Sequence, residues 1–198
     1  MTRYLNLNTG RSLRDMEKDS KVDKGQVGCE PASGLTLKPA TTKDCKILWQ
    51  WRNDPGARKY FPNTEYVPYR EHKEWFKASL KNESRYIFII LQNNTKIGVV
   101  RFDVEPMSKS AEIHINISRK HRHQEIGRKV LKEASHYALR NLGIDSVIGR
   151  IKKGNEASIR AFTYAGFMLT GQNSWITMTL SLNNSPEKVS RGLPNQNR

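Results

Sequence analysis

From residue 35 onward the apolar positions change period several times, and each change marks an element. Leu35-Thr36-Leu37-Lys38-Pro39 alternates and stops at proline, which predicts a short strand. Residues 42–53 carry Leu48, Trp49 and Trp51 at helical positions, and Asn53-Asp54-Pro55-Gly56 breaks the run. Residues 69–80 form a second helix holding Trp75 and Phe76. Arg85 to Leu91 is a strongly apolar strand, Asn93-Asn94 a turn, and Lys96 to Val104 the hairpin partner. Residues 111–118 alternate again, with Ile113, Ile115 and Ile117 against Glu112, His114 and Asn116. The clearest helix runs from 125 to 141, with Ile126, Val130, Leu131, Ala134, Tyr137 and Ala138 on one face. A strand at 146–151, a helix opening at Asn155, and a closing strand at 175–182 complete the order. Neighbouring strands followed by strand–helix–strand–helix–strand predict an α/β fold: a mixed, largely antiparallel sheet flanked by helices.

Outside these limits the pattern fades. Residues 1–34 are polar with charges of both signs and no sustained period, and are expected to form a mobile extension. Residues 183–198, rich in Asn, Ser and Pro, are read as a second loose tail. One folded domain over 35–182 is the expectation. No apolar run approaches a membrane span, and Met1 to Ser20 lacks the apolar core of a signal peptide. Cys29 and Cys45 have no metal-type spacing and are expected to be free thiols in a reducing, cytoplasmic setting.

Charge narrows the partners. The chain carries a net charge of +15, and residues 35–182 hold 25 Lys or Arg against 13 Asp or Glu. Such a field draws anions: a phosphate-rich cofactor, a nucleotide-linked substrate or nucleic acid. The basic residues are scattered, and no helix-turn-helix, zinc spacing or aromatic RNA motif accompanies them, which disfavours nucleic acid.

The most informative run is residues 155–167, where Asn155 begins an amphipathic helix that ends at Gly166 before Phe167. Its pattern, Asn-x-x-Ser-x-x-x-Phe-x-x-x-Gly-Phe, resembles the last conserved block of the GNAT superfamily of acetyl-CoA-dependent N-acetyltransferases. Upstream, Arg122-His123-Gln124-Glu125-Ile126-Gly127, continuing into Arg128, leads a strand into the clearest helix. A helix start offers free N–H groups and partial positive charge to phosphate. The segment resembles the family's Arg/Gln-x-x-Gly-x-Gly/Ala, which cradles the coenzyme A pyrophosphate. Gly127 keeps the second small position, whereas Glu125 replaces the first. A carboxylate there must turn outward or cap the helix.

The resemblance implies a GNAT-like sheet splayed between its fourth and fifth core strands, with acetyl-CoA as cofactor. Ile115, Asn116 and Ile117 would expose backbone to the pantetheine arm, and Asn155 and Ser158 would stand at the cleft mouth. Removing a proton from an attacking amine needs a base within hydrogen-bond reach. Glu112 resembles the strand glutamate that several family members use, and His114 is the second candidate. The tyrosine that many members use to protonate the leaving thiol is replaced by Phe162. Tyr164, about 200° around the helix, is the nearest alternative donor.

Two further stretches bear on the acceptor. Trp51-Arg52-Asn53-Asp54-Pro55 and His72-x-x-Trp75-Phe76 resemble the branch containing ribosomal-protein N-terminal acetyltransferases. They are closer still to bacterial enzymes that acetylate the 4-amino group of UDP-linked aminodideoxy sugars in nonulosonate (pseudaminic acid-type) synthesis. That implies a small-molecule amine partner, nucleotide-linked, walled by Trp51, Arg52, Asn53 and Trp75. Trp51 and Trp75 can either stack on a ring or fill the core. The positive field suits a UDP-sugar better than a cationic protein N-terminus or an aminoglycoside. Alternatives are protein N-terminal acetylation, a non-catalytic acyl-CoA-binding domain, and a basic nucleic-acid-binding module. A homodimer is compatible with each.

Overall fold

A computed structural model describes residues 5–6, 34–122 and 125–182. The order of elements is β1 (Leu5–Asn6), β2 (Leu35–Pro39), a 3-10 turn (Thr42–Asp44), α1 (Cys45–Arg52), α2 (Pro55–Arg58) and α3 (Tyr69–Lys81). Then come β3 (Arg85–Gln92), β4 (Thr95–Glu105), β5 (Ser110–Ile117), a 3-10 turn (Arg119–His121) and α4 (Ile126–Asn141). β6 (Ser146–Lys152), α5 (Glu156–Tyr164), β7 (Met168–Gln172) and β8 (Trp175–Ser181) follow. The strands form one sheet in the order β1-β2-β3-β4-β5-β6-β8-β7. Every neighbouring pair is antiparallel except β5 with β6.

That exception creates the cleft. The β5–β6 register joins Ser110 to Ser146, Ala111 to Val147 and Glu112 to Ile148, and goes no further. Both strands continue beyond those pairs, to Ile117 and Lys152, so they part after Glu112. The expected opening between the fourth and fifth core strands, counted from β2, is present.

Helices cover both faces. On one face α4 and α5 bury a large continuous core that includes Phe102, Ala111, Ile113, Val130, Leu131, Val147, Phe162 and Leu180. On the other, α1 and α3 bury a smaller cluster of Cys45, Leu48, Trp51, Phe76, Ile87 and Ile89. Strand alternation makes this division: along β5, Ala111 and Ile113 point to the first face, and Glu112 and His114 to the second.

Local chemistry explains most boundaries. Asp54 caps α2, its Oδ1 accepting the Ala57 N–H at 3.0 Å, and Pro55 takes the first helical position. α5 ends with Gly166 at φ 89°, and the Phe167 N–H returns to the Phe162 carbonyl. β6 passes so close to α5 that a Cβ on Gly149 would lie 2.0 Å from Phe162.

Four expectations need adjustment. The helix placed at 42–53 begins with a 3-10 turn and becomes α-helical at Cys45. Asn53-Asp54-Pro55-Gly56 does break α1, but it also starts α2, because Asp-Pro is a cap followed by a first-turn proline. β7 has no counterpart in the periodicity: its residues are mostly exposed, so no face repeats. Within 1–34, Leu5 and Asn6 pair antiparallel with Leu37 and Thr36, so a strand stands where none was expected. Cys45 is a buried free thiol. Cys29 and the whole of 183–198 lie outside the described residues. Among the described residues, no helix is long and apolar enough to cross a membrane.

Candidate active site

The parted strands form one wall of the site. Ile113 is buried, whereas Ile115 and Ile117 are half-buried and rest only partly on the core. Burial falls where pairing with β6 ends, leaving an apolar strand edge open for an extended ligand. The Asn116 amide nitrogen donates to the Trp51 carbonyl at 2.9 Å, so this side chain ties β5 to the end of α1. On the other side of the opening, Lys152 at the end of β6 donates through Nζ to the Lys59 carbonyl at 3.0 Å. The α1–α2 corner therefore reaches across the mouth between the two strands.

The start of α4 lies beside the same opening. The Glu125 side chain does not cap its first turn, and the N–H groups of a helix start suit an anion. Glu125 sits in the left-handed region at φ 59°, the conformation glycine adopts most readily. Of the two alternatives for its carboxylate, capping is not adopted; it turns aside and pairs with Arg128. The Arg122 Nε donates to the Ile117 carbonyl at 2.9 Å, and Nη1 pairs with Asp54 Oδ1 at 2.7 Å. Its Nη2 is buried with no partner among the described residues. His123 and Gln124 lie outside the described residues. A Cβ added at Gly127 would meet the Ile117 side chain at 3.7 Å, an ordinary van der Waals contact.

At α5, Asn155 caps the helix, its Oδ1 accepting the Ser158 N–H at 3.3 Å. The cap uses the amide oxygen and not the amide nitrogen. Phe162 is buried against β6 and packs edge-on to Phe167. Tyr164 is 51% exposed, and its ring lies 4.4 Å beneath the Arg128 guanidinium. The helix turn that directs Phe162 inward directs Tyr164 toward the start of α4.

The second face carries the candidate bases. Glu112 occupies the last paired position of β5, where the strands part. Its Oε1 is 3.6 Å from His114 Nε2, and its Oε2 is 3.4 Å from Arg150 Nε. His114 Nε2 is closer to Asp103 Oδ2, at 3.2 Å. Asp103 also pairs with Arg85 Nε at 2.5 Å and Arg101 Nη2 at 3.0 Å. Burial works to raise the Asp103 pKa. The bond from His114 and the charges of Arg101 and Arg85 outweigh it and hold the carboxyl below the usual range. Asp103 is therefore a fixed anion, and Glu112 is the carboxylate nearer the opening. Trp75, 41% exposed, stands over this cluster, 5.8 Å from Arg85 and 5.7 Å from Arg101.

The acceptor wall is sorted by burial. Trp51 belongs to the second core, 9% exposed, so it fills the core and supports the wall from inside. Asn53 is also committed. Its amide nitrogen donates to the Val67 carbonyl at 2.9 Å, and its oxygen accepts the Val67 N–H at 2.9 Å. Asn53 thereby clamps the loop before α3. Arg52 and Trp75 remain open to a ligand. Arg52 Nη2 donates to the Asn63 carbonyl at 2.7 Å, and Nη1 is buried and unpartnered among the described residues. Burial first, and the charge of Arg58 second, lower its pKa.

Three side chains have contacts to which the sequence reading assigned no role. His72 is buried, with Nε2 unpartnered, and stacks on Phe76. Burial first and the charge of Arg52 second lower its pKa, against a bond that the imidazole donates to the Cys45 backbone carbonyl. Asp103 had a signal in the alternation of β4, where Arg101 and Asp103 interleave with buried Val100 and Phe102. Asp54 was legible as a helix breaker, not as the partner of Arg122.

A splayed mixed sheet, an uncapped helix start beside the opening and a carboxylate where the strands part define the acyltransferase class. Residues 34–168 match the acetyltransferase (GNAT) domain model, and the chain belongs to that family. It is similar to acetyltransferase PseH of Campylobacter jejuni, 24% identical over 65% of this chain and 79% of that protein. It is also 21% identical to spermidine N(1)-acetyltransferase of Escherichia coli K12, over 71% of this chain and 76% of that protein. Among solved structures, spermidine N-acetyltransferase of Vibrio cholerae, in complex with CoA and spermine, superposes with a TM-score of 0.70. That match has 17% identity and covers 76% of this chain and 97% of that one. The protein is an N-acetyltransferase, and acetyl-CoA is its cosubstrate. The residues present fit that molecule. The unpartnered Nη2 of Arg122 and the uncapped start of α4 suit its diphosphate, and the half-buried edge at Ile115 and Ile117 suits its arm.

Proposed function

We propose that the acceptor is the primary amine of a nucleotide-linked amino sugar, with the 4-amino group of a UDP-linked aminodideoxy sugar as the best match. Its strongest support is Arg52, whose buried Nη1 has no partner among the described residues and whose charge is crowded by Arg58. An anion between the two guanidiniums relieves both the unmade hydrogen bond and the repulsion. The unpartnered Nε2 of His72 adds a second polar contact in the same wall. Residues 45–81 carry eight Lys or Arg against four Asp or Glu, so this side of the molecule attracts a diphosphate. The similarity to PseH accords with the resemblance of the Trp-Arg-Asn-Asp-Pro and His-x-x-Trp-Phe runs to the nonulosonate branch.

Polyamine acetylation is the competing reading, since the spermidine enzymes are comparably similar. Asp103 and Glu112 are the carboxylates that a polyamine would seek. Arg85, Arg101 and Arg150 already pair with them, which removes the advantage.

Acetyl-CoA supplies an acyl group activated as a thioester. Glu112 takes the proton from the attacking nitrogen, directly or through one water. His114 donates through Nε2 to Asp103, which leaves Glu112, paired with Arg150, as the carboxylate at the opening. Trp75, in contact with Arg85 and Arg101 of the same cluster, offers a partly exposed aromatic ring. With no tyrosine at the position of Phe162, the departing thiolate takes its proton from solvent. Thiol release should be measured with UDP-linked amino sugars, the same sugars without UDP, spermidine and N-terminal peptides. Turnover of the UDP-linked compounds above all others is expected. Preference for spermidine or a peptide overturns the proposal.

A further inference from the structure

We infer that Asp54, on the acceptor-side corner, is a positioning residue for the cofactor: it fixes Arg122 so that the guanidinium's open edge faces the diphosphate. Arg122 is held at two points, by the Ile117 carbonyl through Nε and by Asp54 through Nη1. The third nitrogen, Nη2, is buried and unpartnered among the described residues, so it is the donor left for a ligand. A guanidinium has a rigid planar fork, so fixing two corners fixes the third. Without Asp54, one hydrogen bond would leave the side chain free to rotate, and that freedom would be lost again on binding.

The surroundings are built around this pair. Asp54 and Arg122 side chains are 14% and 22% exposed. Gly56 lies so close that an added Cβ would be 3.0 Å from Arg122 Nη1. The same Asp54 oxygen accepts the Ala57 N–H that starts α2. Asn116 bonds the neighbouring Trp51 carbonyl to β5, so the corner is tied to the parted strand at two places. Burial works to raise the Asp54 pKa, but the bond and charge of Arg122 and the Ala57 N–H prevail, and the carboxylate stays ionised. The cofactor loop thus takes one of its fixing contacts from an element that walls the acceptor.

Asp54→Ser separates positioning from capping. Serine caps a helix about as well as aspartate, but its hydroxyl is too short to reach Arg122. Affinity for coenzyme A is measured by titration calorimetry in four full-length proteins: the wild type, Asp54→Ser, Arg122→Gln and the double variant. Thermal unfolding of each is followed in parallel. Asp54→Ser is expected to weaken binding about tenfold, and the double variant to bind no more weakly than Arg122→Gln alone. The same loss in both backgrounds overturns the assignment, because Asp54 would then act without Arg122. Unchanged or tighter binding by Asp54→Ser also overturns it, since the carboxylate would then merely repel the diphosphate. Should Asp54→Ser not fold, Asp54→Asn, which keeps the cap and loses the charge, is read by the same criteria with a smaller expected loss. Coenzyme A is the sole ligand needed, so the outcome is independent of which amine the protein acetylates.

Discussion

The two faces of the sheet are built from the same strands and do different work. The face under α4 and α5 is dry, with Val130, Leu131, Ala134 and Val147 fully buried among other apolar side chains. On the opposite face, α1 and α3 cover β3 and the start of β4 with a small core. Beyond that core lie Arg85, Arg101, Asp103, Glu112, His114 and Arg150, joined by ion pairs and overhung by Trp75. The contrast shows how one alternating strand serves both stability and chemistry. The face fully roofed by helices forms the larger core, while the partly roofed face keeps polar groups within reach of water and substrate.

The sharpest way to break this division is to strike each face once and ask which property responds. Leu131→Ala removes a fully buried side chain from the larger core and should cost about 2–5 kcal/mol in denaturant unfolding. Turnover per folded molecule should hold. A large loss of turnover at full folding would mean that the two faces are not separable. Glu112→Gln attacks the other face. Its kcat should fall about 100-fold or more, with coenzyme A affinity and melting temperature nearly unchanged. Wild-type turnover in that variant removes Glu112 from the chemistry.

Asp103 tests whether the polar face also contributes stability. Its folded pKa is depressed, so the contribution is complete above its unfolded value near about pH 4 and is lost as pH falls through the folded value. Wild type and Asp103→Asn should therefore differ in unfolding free energy at neutral pH and converge on acidification below about pH 4. A pH-independent gap would mean that the substitution acts through packing. The smallest effect is expected at Glu125→Gly. Glycine relieves the left-handed backbone and frees Arg128, so coenzyme A should bind about threefold tighter. Weaker binding would give the Glu125–Arg128 pair a structural part in the loop.

Legibility followed the range of the interactions. β3, β4, β5 and α4 were readable because burial repeats every second residue or every third to fourth residue, and that repeat is written locally. β7 was not readable, since an exposed edge strand has no buried face to mark. α2 was half-readable: Asp54-Pro55 was recognised as a break when it is also a start. Within the site, Glu112, Arg122 and Asn155 stood out from their positions in motifs. Asp103 lay in no motif, and His72 lay in one without an assigned role, because their contacts depend on neighbours from other elements: Arg85 from β3 beside Asp103, and Arg52 from α1 beside His72.

By itself the sequence determined the order of the main elements, the apolar stripe of each long helix, the cap at Asn155, and the strongly positive charge. These depend on contacts a few residues long and on composition. Tertiary structure alone decided where β5 leaves β6, that Asp103 and not Glu112 takes the closer bond from His114, and that Asp54 meets Arg122 across the corner. Such contacts join residues that are distant along the chain, and no local period records which distant side chains chain folding will bring within hydrogen-bond reach.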